Sequence, residues 1–114
     1  LTDDTRGMID AGFLQSMKDG AFFINTSRAE VVDEEALLQA IEDKGIKAGL
    51  DVISNEPSGK TGEVDGKLIA HPNVYGTHHI GASTNQAQEA VADEVVLIVK
   101  DFISDGTVRN SVNL

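Results

Sequence analysis

The sequence contains no cysteine. That absence removes disulfides, thiolate nucleophiles and cysteine-based zinc sites. It is compatible with a reducing compartment, and a cytoplasmic setting is the expectation. Basic residues are few. Nine Lys and Arg stand against 19 Asp and Glu, giving a formal net charge of −10 and a pI near 4.5. A negative surface repels phosphate backbones, so no nucleic-acid partner is expected. No cluster of Lys and Arg offers an anchor for anionic lipid, no apolar run reaches the length of a membrane span, and no signal-peptide pattern is present. A membrane partner is therefore not expected either. The dinucleotide fingerprint G-x-G-x-x-G occurs nowhere, no segment repeats, and there is no initiator Met. Leu1 opens what reads as mid-domain sequence, so the expectation is a fragment or a processed product.

What is present suits one domain. A chain of 114 residues with 40% hydrophobic content can bury a single core and is too apolar for disorder at this charge level. The spacing of Ile9, Phe13 and Met17 predicts a short helix over 10–19, with Asp10 as its cap and Lys18 and Gly20 as its stop. Ala21 to Asn25 reads as a strand buried on both faces. A second helix is predicted over 33–44. Its first turn is loaded with Asp33, Glu34 and Glu35, its stripe is Leu37, Ala40 and Ile41, and Gly45 closes it. Ile46 to Val52 and Asn73 to Thr77 are the next strands, separated by a long connection over 53–71. The last helix is predicted to start at Ser83, with Gln86 completing a capping box, and to end at Asp105-Gly106. Its stripe is Ala87, Val91, Val95, Ile98 and Phe102. The tail from Thr107 to Leu114 has the look of one more extended segment. Strands alternating with helices argue for an α/β fold with a parallel sheet. Three strands make it narrow, so the expected architecture is half of a doubly wound domain.

Each strand leads into chemistry. The first runs through Thr26 and Ser27 to Arg28, the second through Asp51 to Glu56, the third into His78 and His79. In a parallel sheet these residues meet on one rim, where open α/β sheets bind ligands. A guanidinium forks onto a carboxylate. A His moves a proton at neutral pH, and a nearby Glu favours its charged form and fixes the ring. The set suits a substrate carrying a carboxylate beside a hydroxyl or carbonyl. The plainer alternative is surface ion pairs with a His filling a turn. Asp51, inside an apolar strand, either caps a nearby turn or faces a ligand. Gly59-Lys60-Thr61 lacks both the first glycine and the following helix of a phosphate loop. The adjacent histidines, on opposite faces of a strand and without a third ligand, do not make a metal site.

Several words of the sequence, in this order, resemble one family. They are Leu1-Thr2 with Thr5 and Gly7-Met8-Ile9, then GAFFINTSRAEVVDEEAL, IKAGLDVISNEP and HPNVYGTHHIGAS. The family is the NAD-dependent D-isomer-specific 2-hydroxyacid dehydrogenases, and the closing VRNSVNL is most similar to the D-3-phosphoglycerate dehydrogenase branch. The resemblance implies a Rossmann-type cofactor domain of which residues 1–106 would be the C-terminal half. Residues 107–114 would begin the crossing to a substrate domain that lies elsewhere. It implies NAD as cofactor and 3-phosphoglycerate as the expected 2-hydroxy acid. Arg28 would hold the substrate carboxylate. His79, which directly precedes Ile80-Gly81, would be the acid/base, and Glu56 would stabilise it. Asp51 would contact the nicotinamide carboxamide. Thr5, Thr26, Ser27, Gly81 and Ala82 would join Arg28, Asp51 and His79 around the cofactor.

Three positions depart from the family pattern. His78 stands in place of the usual Pro, Ile53 in place of a frequent aromatic, and Ala29 in place of a common Gly. The Ala predicts an ordinary backbone there. A second reading treats this chain by itself as a half-domain without turnover, which either folds alone or associates with a second copy or with the missing half.

Overall fold

The computed structural model describes residues 1–54 and 66–113. Two compact units divide them, Leu1–Ile80 and Gly81–Leu114. The first unit holds the sheet. In chain order it contains α1 (Ala11–Ser16), β1 (Phe22–Asn25), a single 3-10 turn (Ala29–Val31), α2 (Glu34–Lys44), β2 (Lys47–Leu50) and β3 (Val74–Gly76).

Local chemistry sets these boundaries. Asp10 caps α1 by accepting the Phe13 N–H at 2.8 Å, and Asp33 caps α2 by accepting the Ala36 N–H at 3.0 Å. Such caps satisfy amides that the first helical turn leaves unpaired. Gly45 takes the left-handed conformation that ends α2, at φ 65°, where a side chain would be strained. The observed α1 ends at Ser16, short of the predicted 19. Lys44 ties the two helices together. Its ammonium donates to the Gln15 carbonyl at 2.6 Å and sits 3.8 Å from the Asp19 carboxylate.

Among the described residues the sheet has order β1-β2-β3 and is parallel throughout, with Asn25 opposite Leu50 and Leu50 opposite Gly76. This is the α/β arrangement predicted from the alternation of elements. The core lies on one face. Phe23, Ala48 and Leu50 cluster with Leu14 of α1 and with Leu37, Ala40 and Ile41 of α2. Each large apolar side chain buried this way contributes about 1.5–3 kcal/mol.

The prediction that β1 is buried on both faces fails. Its residues alternate, with Phe22 73% and Ile24 72% exposed while Phe23 and Asn25 are buried. Neighbouring side chains on a strand point to opposite faces. The core helices α1 and α2 supply apolar partners only for the face that carries Phe23. Tyr75 of β3 is exposed as well, and the Lys47 ammonium lies 5.6 Å from the centre of the Phe22 ring.

The second unit is built on α3 (Asn85–Asp105), about 32 Å long at about 1.5 Å per residue. Its cap is Thr84, whose hydroxyl accepts the Ala87 N–H at 3.1 Å. The predicted cap was Ser83, one residue early, because Ser and Thr are both good caps and spacing to Gln86 favoured the first. Gly106, at φ 77°, ends the helix. The tail does not form the extended segment predicted for it. Arg109 instead pairs with Asp101 at 2.9 Å and Glu94 at 3.6 Å, and Asn110 turns at φ 56° and donates to Glu94. These polar contacts fold the tail against its own helix. No described helix is long and apolar enough to cross a membrane.

Replacing the fully buried Leu37 by Ala is expected to cost about 2–5 kcal/mol in denaturant unfolding, while Ile24→Ala on the exposed face costs less than about 1 kcal/mol. Equal costs at the two positions would contradict the one-sided core.

Candidate functional site

Arg28 follows Asn25 by three positions, and His79 follows Gly76 by three. Asn25, Leu50 and Gly76 stand in register. Arg28 and His79 therefore leave the same rim from the two outer strands, with β2 between them. At about 4.8 Å per strand, β1 and β3 are roughly 10 Å apart.

The hydrogen-bond ladder continues past the ends of the strands. The Asp51 N–H donates to the Asn25 carbonyl at 3.0 Å, Thr77 N–H to the Leu50 carbonyl at 2.9 Å, and His79 N–H to the Asp51 carbonyl at 2.9 Å. Asn25 and Asp51 are thus tied directly, and so are Asp51 and His79. The backbone of the acid/base candidate is linked through β2 to the end of the strand that leads to Arg28.

His79 lies in the left-handed region, at φ 58°. A non-glycine residue there costs on the order of 1–3 kcal/mol and needs surrounding contacts to hold it. Asp51 supplies them. Its carbonyl takes the His79 amide, and its carboxylate accepts the Ile80 N–H at 2.9 Å and the Thr77 hydroxyl. Asp51 is 7% exposed, and these donors offset the burial of its charge. These contacts make Asp51 the cap of the turn that holds His79. Both histidines lie beyond β3, in a turn. The argument that a strand sends them to opposite faces does not apply to them. Among the described residues no group of three His, Asp or Glu is placed to hold a metal.

Arg28 is exposed and its backbone is extended, at φ −143° and ψ 146°. Its guanidinium donates to the Ser27 carbonyl at 2.7 Å. Ala29, one residue on, starts the 3-10 turn without a positive φ, the ordinary conformation predicted for it. Thr26 and Ser27 are exposed beside Arg28. Thr5 sits in a turn tied to this region through the Gly7 N–H, which donates to the Glu30 carbonyl at 2.8 Å. Gly81 and Ala82 belong to the second unit, where the Ala82 carbonyl accepts from the Gln88 side chain at 3.0 Å. Glu56 lies outside the described residues, as does the Gly59-Lys60-Thr61 segment.

Three positions escaped the sequence reading. Thr77 steadies the His79 turn through its hydroxyl. Glu34, read only as a charge at a helix start, accepts the Ser54 N–H at 2.7 Å and so holds the chain that leaves β2. Asn25, read only as the last residue of a strand, organises the turn before Arg28. The Asn-Thr-Ser spacing was a usable signal for it, since Asn accepts hydrogen bonds from the backbone two residues on.

Residues 1–81 match the family described as "D-isomer specific 2-hydroxyacid dehydrogenase, NAD binding domain". Hydroxypyruvate reductase of Thermotoga maritima is 44% identical over 97 residues, covering 84% of this chain and 31% of that protein. D-3-phosphoglycerate dehydrogenase 1 of Saccharomyces cerevisiae is 38% identical over 122 residues, covering 98% of this chain and 26% of that protein. The crystal structure of a glyoxylate reductase from Paecilomyes thermophila superposes with a TM-score of 0.82 at 33% identity, over 98% of this chain and 33% of that one. The chain thus spans between a quarter and a third of the length of these relatives.

Replacing Asp51 by Ala removes the acceptor of the Ile80 and Thr77 donors. The expected result is a loss of about 1–3 kcal/mol of stability, with faster hydrogen exchange at the Ile80 amide than at the His79 amide. Unchanged exchange at Ile80 would remove Asp51 from its role in the turn.

Proposed function

The chain belongs to the D-isomer specific 2-hydroxyacid dehydrogenase family, within its NAD-binding domain, and from that premise we propose that the parent protein transfers a hydride between a D-2-hydroxy acid and NAD. The observation that carries the proposal is the placing of Arg28 and His79, each three residues past in-register strand ends, on one rim of a parallel sheet. Residues 1–106 are read as the C-terminal half of a doubly wound, Rossmann-type cofactor domain, and 107–114 as the start of the crossing to the substrate domain.

The residues at the rim suit a dinucleotide in their chemistry. The exposed hydroxyl-bearing residues Thr26 and Ser27 flank Arg28, and Asp51 stands at the end of the central strand. We assign cofactor contacts to Thr5, Thr26, Ser27, Arg28, Asp51, His79, Gly81 and Ala82. When bound, NAD supplies a nicotinamide carbon that accepts the hydride.

The work of this chain is then threefold. Arg28 binds the substrate carboxylate through two parallel hydrogen bonds, which fixes the acid in one orientation. His79 accepts the proton of the substrate hydroxyl through an imidazole nitrogen as the C–H pair leaves, and the C–O bond becomes a carbonyl. Glu56 stabilises the resulting imidazolium. In the reducing direction the same proton returns from His79. We take the substrate to be 3-phosphoglycerate. This rests on the closing Val-Arg-Asn-Ser-Val-Asn-Leu, and a D-3-phosphoglycerate dehydrogenase is among the relatives. The 114-residue chain alone is proposed to be inactive. Its exposed Phe22, Ile24 and Tyr75 favour cover by the rest of the cofactor domain or by a second copy.

The test uses the full-length parent with NAD and a panel of D-2-hydroxy acids. The wild type is expected to reduce NAD, fastest with 3-phosphoglycerate. His79→Ala is expected to lose turnover by at least about 100-fold, the usual scale for a general base, while keeping its circular dichroism spectrum. Full activity in that variant would sink the assignment of His79.

A further inference from the structure

We propose that Asn25 is a positioning residue for Arg28, its side-chain amide setting the turn from which the guanidinium reaches the substrate carboxylate. The proposal rests on the function given to Arg28 above.

Asn25 is the last residue of β1 and is 6% exposed. A polar side chain buried to that degree needs partners, and it finds them in the next three residues. Its Oδ1 accepts the Ser27 N–H at 3.0 Å and the Ser27 hydroxyl at 2.7 Å. Its Nδ2 donates to the Arg28 carbonyl at 2.9 Å. The amide closes the turn from both sides, acceptor toward Ser27 and donor toward Arg28. Its own carbonyl receives the Asp51 N–H, so the clamp is anchored to the sheet and not only to the loop.

The chemistry requires both ends of the amide. Asp keeps the acceptor but turns an oxygen toward the Arg28 carbonyl, so two acceptors would face each other. Ala leaves the Ser27 donors and the Arg28 carbonyl without their partner. In either case the backbone at Arg28 loses the contact that fixes where its side chain starts. An Arg that forks onto a carboxylate depends on direction as much as on charge. Because Arg28 grips a group that is present in both substrate and transition state, loosening it weakens both equally. That raises KM and leaves kcat in place.

The test is steady-state kinetics on the full-length parent with 3-phosphoglycerate and with D-glycerate, comparing wild type, Asn25→Asp, Arg28→Lys and the double variant. Asn25→Asp is expected to raise KM for the acid about tenfold, the scale of one lost hydrogen bond, with kcat and the pH profile unmoved. The double variant is expected to be no worse than Arg28→Lys alone, because the two residues act as one. An unchanged KM, a fall in kcat with a shifted pH profile, or additive losses in the double variant would each overturn the role of Asn25. Should Asn25→Asp not fold, hydrogen exchange in the wild type decides. A protected Ser27 amide supports the clamp, and an unprotected one overturns it. A wild type that oxidises neither acid overturns the dehydrogenase reading and takes this proposal with it. An active wild type indifferent to Asn25→Asp overturns this proposal alone.

Discussion

The rim depends on backbone hydrogen bonds that carry the parallel ladder one step beyond its strands. Asp51 N–H on the Asn25 carbonyl and His79 N–H on the Asp51 carbonyl join the ends of β1, β2 and the turn after β3. Without them Arg28 and His79 would sit on two independent loops. With them, both side chains start from positions set by the register of the sheet. Parallel strands allow this because all of their carboxyl ends lie together. The core below serves that geometry. Leu14, Leu37 and Ile41 hold the helices to one face, and that face fixes the register, since a slip of one residue would turn every buried side chain outward.

Two buried polar side chains finish the work. Asn25 closes the turn leading to Arg28, and Asp51 closes the turn containing His79. Each sits at or just past the end of a strand and is almost fully hidden from water. Among the described residues no buried side-chain nitrogen or oxygen lacks a partner. Satisfied groups of this kind give direction as well as energy, because leaving any one unpaired is costly. Asp51 also holds His79 in its left-handed conformation, against a cost on the order of 1–3 kcal/mol. The scheme places stiffness in the backbone around the rim and leaves the Arg28 and His79 side chains exposed.

Much of this was legible in the sequence. The cap at Asp10 and the stop at Gly45 stood in their expected places, because these rules act within a few residues, while Asp33, read as a charge in the first turn of α2, is its cap. The meeting of Arg28 and His79 on one rim followed from the alternation of strands and helices. Other features were hidden because they depend on what the chain packs against. The alternation in β1 was invisible, since Phe22, Phe23 and Ile24 are all apolar and only the covering helices decide which face is the core. Asn25 looked like a strand terminus until its three partners were seen. The tail misled because its polar residues respond to Glu94 and Asp101, an attraction that runs across many residues of sequence.

The central claim is that one rim gathers the carboxylate-binding and proton-moving residues of a 2-hydroxyacid dehydrogenase. The most direct measurement is a crystal structure of the full-length parent with NADH and D-glycerate, a pair that cannot turn over. The account predicts the glycerate carboxylate forked on the Arg28 guanidinium at about 2.7–2.9 Å, with the 2-hydroxyl about 2.6–3.2 Å from a nitrogen of His79. Glycerate bound away from this rim, or on it with neither side chain in reach, would contradict the account.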